Sequence, residues 1–528
     1  MTEVPEINFY PELIQAQGKL LGDKPYIFHE ELTVSYAEFD RMTCRVANGM
    51  AEQGASPGEG VAIFMGNCVE YLYLFYGLPR GGFYSVPINT GLKGDGLRYI
   101  IEHSDVKTLV VDDTLYPRIL DLGTPLGAVE KIFVRRTEGK PLPPKVQDIQ
   151  DLMDASAEKP IHTLSPSALS FLMYTSGTTG FPKGVINRNH NTNIPGLKML
   201  SAVLYQPQDV LYTTLPLFHA NALMLTPAFA MAGGLPFALE KKFSASGFWD
   251  STRRYGGTSF NALGAMVPIL MKQPEKPDDA DNPVRLVISA ACPANLWEAF
   301  EKRFNLKIWE AYGAVDGGGA LTFNFGTAPV GSIGQFVTGQ EWRIVDDNNN
   351  NVKQGEIGEL ITKVMDEKKG SVEYYKNPEA SQKKVRGGWI HTGDLFYADQ
   401  NNNLYFVDRK TDSMRRRGEN ISSFEVENMV EKYPAVAECA AFGVPSELGE
   451  DEVMIWVKPK PGETINLKAL MEHCAKNMAY FMVPRYVDIV DDIPRTGTLR
   501  VKKNEMKKKG VSDRTWDREK EMPDFKPR

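Results

Sequence analysis

An apolar run, Ala168–Met173, leads without a break into Tyr174–Gly184 (YTSGTTGFPKG), and this join constrains the chain more than any other segment. The apolar half reads as a buried strand. The second half sets Gly177, Gly180 and Gly184 among the hydroxyls of Tyr174, Thr175, Ser176, Thr178 and Thr179, and closes on Lys183 behind Pro182. Glycine lets backbone approach a ligand and adopt positive φ. Hydroxyls and bare N–H groups offer donors to an anion. Lysine adds a point charge. A strand feeding such a loop is a common way to build a phosphate cradle. A Walker loop is excluded, because that motif needs Ser or Thr after its Lys, and here Gly184 follows Lys183.

At 528 residues the chain is too long for one simple core, so two or more domains are expected. A net charge of −7 gives no general attraction to nucleic acid or to an anionic membrane. Cys44, Cys68, Cys292, Cys439 and Cys474 are scattered with no CxxC pair, against a zinc site or disulfide framework and in keeping with a reducing compartment. The first ten residues (MTEVPEINFY) lack the apolar core of a signal peptide. The longest apolar stretch, Ala222–Leu239, is broken by Pro227, Gly233, Gly234 and Pro236. It reads as a core helix, a turn and a strand, not a membrane span. A cytoplasmic protein is the expectation.

Strand-like runs such as Gly60–Phe64 and Thr108–Val111 alternate with helical patterns, which predicts parallel sheets with crossover helices. Asp346–Asn351 reads as a hairpin tip between Trp342–Val345 and Gly355–Ile361. The character changes near Asp408–Asp412; a helix over Phe424–Tyr433 and strands around Glu438–Phe442 and Val453–Val457 follow. The lysine-rich tail, with Lys502, Lys503 and Lys507–Lys509, reads mostly as a solvated face.

The glycine-rich run resembles the phosphate loop of the adenylate-forming enzymes, which include acyl-CoA synthetases, luciferases and nonribosomal peptide adenylation domains. Further segments match the family in order. Ala290–Pro293 (AACP) and Trp309–Gly313 (WEAYG) resemble the adenine-lining segments, and Gly388–Asp394 (GWIHTGD) the ribose-binding turn. Tyr405–Arg409 (YFVDR), Pro216–His219 (PLFH) and Arg417–Glu427 (RGENISSFEVE) resemble the ribose–phosphate arginine, the border of the acyl pocket and the pantetheine loop. The lettering of Gly81–Asn89, Leu97–His103 and Thr515–Glu519 is similar to CoA ligases of the crotonobetaine/carnitine type.

This resemblance implies an α/β fold: a large N-terminal AMP-binding domain over 1–410, with two doubly wound sheets and a small barrel, and a smaller mobile α+β domain over 411–528. ATP would be held by Thr175, Ser176, Gly177, Thr178, Thr179, Ala291, Cys292, Glu310, Ala311, Tyr312, Asp394 and Arg409. Gly418, Glu419 and Asn420 would line the CoA path. Lys183, Asp316, Arg500 and His219 are the implied catalytic residues, with Asp316 on Mg²⁺. The chain departs from the family at two places: Val315 and Asp316 stand where Thr-Glu is usual, and Leu499-Arg500 where Gly-Lys is usual. The implied reaction joins a carboxylic acid to CoA through an acyl-adenylate, releasing AMP and pyrophosphate. The rivals are an acyl-AMP-forming enzyme with another acceptor and a nucleotide-binding pseudoenzyme. Phe218–Leu225 and Gly313–Phe323, expected near the acid, are mostly apolar and favour an apolar or weakly polar acid. Oligomeric state is left open, a homodimer included.

Overall fold

The computed structural model describes residues 7–527, apart from 138, 140, 161, 163, 176–180, 264–265, 320, 338, 365–371, 410–413, 422, 448, 495–500 and 502. At 408, 409, 420, 424 and 504 only the backbone is described. Two large sheets dominate the first 340 or so residues. The seven-stranded sheet is ordered 147–148, 131–135, 106–112, 60–64, 84–87, 169–175, 183–188. All its neighbours are parallel except the last pair. The nine-stranded sheet is parallel through its centre, with antiparallel strands at both edges.

The residue pattern explains the layering. Gly60–Phe64 (GVAIF) is buried at every position, as a strand covered on both faces must be. Helix Val69–Gly77 (VEYLYLFYG) is apolar on nearly every side and buried except at Glu70, so it packs inside the molecule. One continuous core runs from Val61 and Ile63 in the first sheet through Tyr71 and Leu74 of this helix to Phe237, Phe260 and Ile288 in the second. The α/β expectation with two large sheets holds. A smaller, five-stranded antiparallel sheet, built from residues 342–409, is the curled half-barrel that answers to the expected small barrel.

The C-terminal part has its own core, from Met414 and Ile421 to Val487. Its four-stranded sheet runs 436–445, 451–459, 486–489, 516–517. Two expectations need adjusting. Ala222–Leu239 forms two helices, Ala220–Leu225 and Pro227–Gly233, before its strand, because Pro227 starts a new helix. The tail is not merely a solvated face. Helix Lys503–Lys509 buries Met506 against Phe442 and Trp456, and Trp516-Asp517 adds a strand beside Tyr486–Val487. Sparse apolar residues among lysines anchor it, a pattern that charge counting hides.

Candidate active site

The glycine-rich segment is the tip of a β-hairpin. Leu169–Thr175 pairs antiparallel with Lys183–Arg188, and Thr175 stands opposite Lys183. No helix follows the loop directly, so an anion there would depend on loop donors and lysine rather than on a helix dipole. Ser176, Gly177, Thr178 and Thr179 lie outside the described residues. The Lys183 ammonium lies 5.1 Å from the Tyr374 ring centroid. Burial holds its pKa below the ordinary lysine value, with Lys384 and Lys383 adding to the shift and Asp316 opposing it.

Asp316 is the hub of this corner. The Tyr374 hydroxyl donates to its Oδ2 at 2.5 Å, and Lys384 Nζ lies 3.0 Å from the same oxygen. Lys384 also donates to the Thr392 carbonyl at 3.2 Å. It is delivered by helix Pro378–Lys384, which Asn377 caps by accepting from the Ala380 N–H at 3.0 Å. Neither Tyr374 nor Lys384 was singled out by the sequence, since an aromatic and a helix-terminal lysine carry no signature. Among the described residues no three His, Cys, Asp or Glu side chains are grouped to hold a metal. A single carboxylate still fits Mg²⁺, which is usually bound through one or two carboxylates plus substrate phosphates. Lys384 would then have to yield Oδ2.

Asp394 lies further along the same contacts. It is buried, and the Tyr312 hydroxyl donates to its Oδ2 at 2.6 Å. Its own N–H donates to Thr392 Oγ1 at 3.1 Å. The Asp394 and Arg409 backbones face each other across two strands; the Arg409 side chain is not described. Ala291 adopts φ 69° in a position that suits glycine. Buried Glu310 holds that turn by accepting from the Ala291 N–H and, at 3.2 Å, from the Cys292 N–H. Burial pushes the Glu310 carboxyl up to about 7. Glu310 therefore shapes the Ala291–Cys292 turn from behind, while Ala311 is buried beside it.

His219, expected to border the acid, meets the C-terminal domain directly. His219 Nε2 lies 2.8 Å from Glu419 Oε2, and Asn89 Nδ2 donates to the same oxygen at 3.1 Å. Glu419 comes from a hairpin whose strands are Met414–Arg416 and Glu419–Ile421. A Cβ on Gly418 would fall 2.3 Å from Leu263 Cδ1, so the hairpin tip is pressed against the large domain. The Asn420 side chain and all of Arg500 lie outside the described residues, as does Lys502. Lys503 is engaged by Glu427 at 2.6 Å and by Ser423 Oγ at 2.6 Å.

The model of the AMP-binding enzyme family matches residues 14–365, and that of the AMP-binding enzyme C-terminal domain matches 425–499. This chain belongs to the AMP-binding enzyme family. A crotonobetaine/carnitine–CoA ligase of Salmonella typhi is 30% identical over 506 residues, covering 92% of this chain and 96% of the relative. An o-succinylbenzoate CoA synthetase of Bacillus subtilis, a double mutant bound to a CoA product analogue, superposes with a TM-score of 0.80 at 24% identity, covering 94% and 98% of the two chains. The same enzyme in complex with AMP gives 0.64 over the same coverage. An amide bond synthetase of Marinactinospora thermotolerans gives 0.80 at 20% identity over 95% and 99%. Family and relatives make this chain an enzyme of the AMP-forming acid–CoA ligase class. Among the described residues no helix is long and apolar enough to cross a membrane.

Proposed function

We propose that this enzyme activates a carboxylic acid with ATP, forms an enzyme-bound acyl-adenylate, and passes the acyl group to CoA with release of AMP. One observation carries the reading. An unbroken set of contacts runs from Lys183 through Tyr374, Asp316, Lys384 and Thr392 to Asp394 and Tyr312. It joins the triphosphate end of a nucleotide site to the ribose end.

In the first step a substrate carboxylate oxygen bonds to the α-phosphorus of ATP and the bond to pyrophosphate breaks. Asp394 accepts from the ribose hydroxyls, Tyr312 and the Ala291–Cys292 turn flank the base, and Lys183 with Thr175 meets the phosphates. The chain contributes position and fixed charge rather than covalent chemistry. Asp316 would hold Mg²⁺, which when bound neutralises phosphate charge. In the second step the CoA sulfur bonds to the acyl carbon and the bond to AMP breaks. The thiol proton leaves toward the His219–Glu419 pair.

The two steps need different partners at one place, so the C-terminal domain turns between them about a hinge expected by position near Thr411, which lies outside the described residues. The described arrangement, with Glu419 on His219, fits the second step. The higher superposition on the CoA-analogue complex than on the AMP complex of one enzyme favours the same assignment. Domain limits of 1–410 and 411–528 follow from this pivot. The apolar lining, with Ala222 and Leu223 buried beside His219, favours an apolar or weakly polar acid such as a medium-chain, alicyclic or polycyclic one.

The test is CoA-dependent AMP formation across fatty, aryl, betaine and steroid acids, beside pyrophosphate exchange into ATP without CoA. Exchange without thioester formation from any acid would favour another acceptor; no exchange with any acid would favour a nucleotide-binding pseudoenzyme.

A further inference from the structure

Lys384 brings an ammonium group into the nucleotide corner that neither step above has used. Its side chain is only 11% exposed; its Nζ lies 3.0 Å from Asp316 Oδ2 and donates to the Thr392 carbonyl at 3.2 Å. An ammonium carries three donors, and the contacts among the described residues account for two. Lys183 faces the same corner, where burial and then the like charge of Lys384 hold its pKa down. Lys383 spends its charge elsewhere, on exposed Glu379 at 2.5 Å. Asp316 thus answers two ammonium groups, and its Oδ2 already accepts from the Tyr374 hydroxyl at 2.5 Å. Val315 offers no hydroxyl here; it packs against the cluster of Val185, Val372, Tyr374 and Ile390. Among the described residues the corner therefore holds surplus positive charge against an apolar wall, where charge is worth more than in water.

The place of Lys384 in the site says which part of the nucleotide it meets. Along the contacts that join Lys183 to Asp394, it stands between Asp316 and Thr392. Thr392 Oγ1 in turn accepts from the Asp394 N–H at 3.1 Å. Lys384 thus lies between the end of the site where Lys183 would meet the outer phosphates and the end where Asp394 would hold ribose. In ATP the bridge between the α- and β-phosphates lies between those same two points.

We propose that Lys384 is a further catalytic residue, donating to the oxygen that bridges the α- and β-phosphates of ATP and then to the departing pyrophosphate. The proposal rests on the adenylation reading above. In that step the substrate carboxylate oxygen bonds to the α-phosphorus. The bond from that phosphorus to the bridging oxygen breaks, and its electron pair stays on the oxygen. The new charge appears beside the third donor of Lys384, so it is stabilised with no proton transferred. Were Asp316 Oδ2 given up to Mg²⁺, the Thr392 carbonyl would still tether the ammonium in place.

The experiment compares Lys384→Met, Lys384→Arg, Asp316→Asn and the double variant Asp316→Asn with Lys384→Met, all in the full-length protein. Pyrophosphate, titrated calorimetrically without metal, should bind wild type and bind Lys384→Met about 10-fold more weakly, as for one lost charge-assisted contact. In rapid-quench assays Lys384→Met should slow acyl-AMP formation by about 10²-fold and leave acyl-AMP plus CoA within about 2-fold, with Lys384→Arg recovering part of the loss. The Met variant should also discriminate more steeply than wild type between ATP analogues with difluoromethylene and methylene groups between the β- and γ-phosphates, because the methylene leaving group is the more basic. A mere counter-ion of Asp316 would cost nothing further once Asp316 is asparagine; the proposal requires the double variant to adenylate clearly more slowly than Asp316→Asn. Where Lys384→Met alone melts too low to assay, that pair supplies the folded comparison, since it leaves no unpaired carboxylate. Unchanged pyrophosphate binding in Lys384→Met, equal slowing of both half-reactions, or no further loss in the double variant would overturn the proposal. If wild type forms no acyl-adenylate with any acid, the adenylation reading fails, and the metal-free titration still decides whether Lys384 binds pyrophosphate.

Discussion

Gly418→Ala should separate the two half-reactions, and the structure sets the size of the effect. Gly418 has φ 78°, where an L-residue pays roughly 1–2 kcal/mol. That cost belongs to the hairpin turn itself and is present wherever the domain sits. The second cost exists only when the hairpin is docked. The new Cβ would lie 2.3 Å from Leu263 Cδ1, at the end of strand Ser259–Leu263 in the large domain. Overpacking of this kind costs about 1–3 kcal/mol. Cδ1 is the far end of a flexible side chain, so the lower part of that range applies, about 1–2 kcal/mol, or a factor of roughly 5–30. Rapid-quench measurement of acyl-AMP plus CoA to thioester should show that loss, while pyrophosphate release from ATP and acid stays within about 2-fold. Leu263→Ala removes the obstructing methyl, so Gly418→Ala combined with Leu263→Ala should regain most of the loss relative to Leu263→Ala alone. Equal slowing of both half-reactions, or no coupling between the two substitutions, would refute the docked-hairpin argument.

Asp394→Ala should cut kcat/KM for ATP by an amount worth about 2–3 kcal/mol, since a buried diol loses its acceptor; steady-state ATP kinetics on folded protein check this. Glu310 should impose a pH dependence on stability. Burial raises its folded pKa from 4.5 to about 7, so the folded state holds a proton that the unfolded state has lost between these values. Its contribution is full below pH 4.5, declines as pH rises to about 7, and is then gone, about 3 kcal/mol in all. The stability difference between wild type and Glu310→Gln should shift accordingly between about pH 4.5 and 7 in denaturant titrations; a constant difference counts against it. Lys384→Met and Asp316→Asn should each destabilise by on the order of 1–3 kcal/mol, because each leaves a largely buried partner of a 3.0 Å pair. The double variant should lose clearly less than the sum, as read from melting curves.

Much of the molecule was legible locally. Gly60–Phe64 and the apolar run before Tyr174 announce strands through unbroken burial, and Val436–Pro445 and Asp451–Pro459 appear close to their expected places. The site was legible as an ordered series of segments, and two of its expected members, Asp394 and Tyr312, meet in a hydrogen bond. Glu310 was expected against the nucleotide; its carboxylate accepts from the backbone of the Ala291–Cys292 turn on the neighbouring segment, which a single letter cannot reveal. The tail was misread because three or four apolar anchors are diluted among lysines.

By itself the sequence determined the class of fold and the nucleotide-binding chemistry, because strand periodicity and a glycine–hydroxyl–lysine loop depend on neighbouring residues alone. Only the tertiary structure decided which charges meet. His219 and Glu419 are 200 residues apart, and Lys384 reaches Asp316 because a capped helix packs beside the antiparallel sheet. Such contacts arise from how whole elements pack to bury apolar surface. A side chain's partner is therefore set by the positions of several elements at once, which no local pattern records.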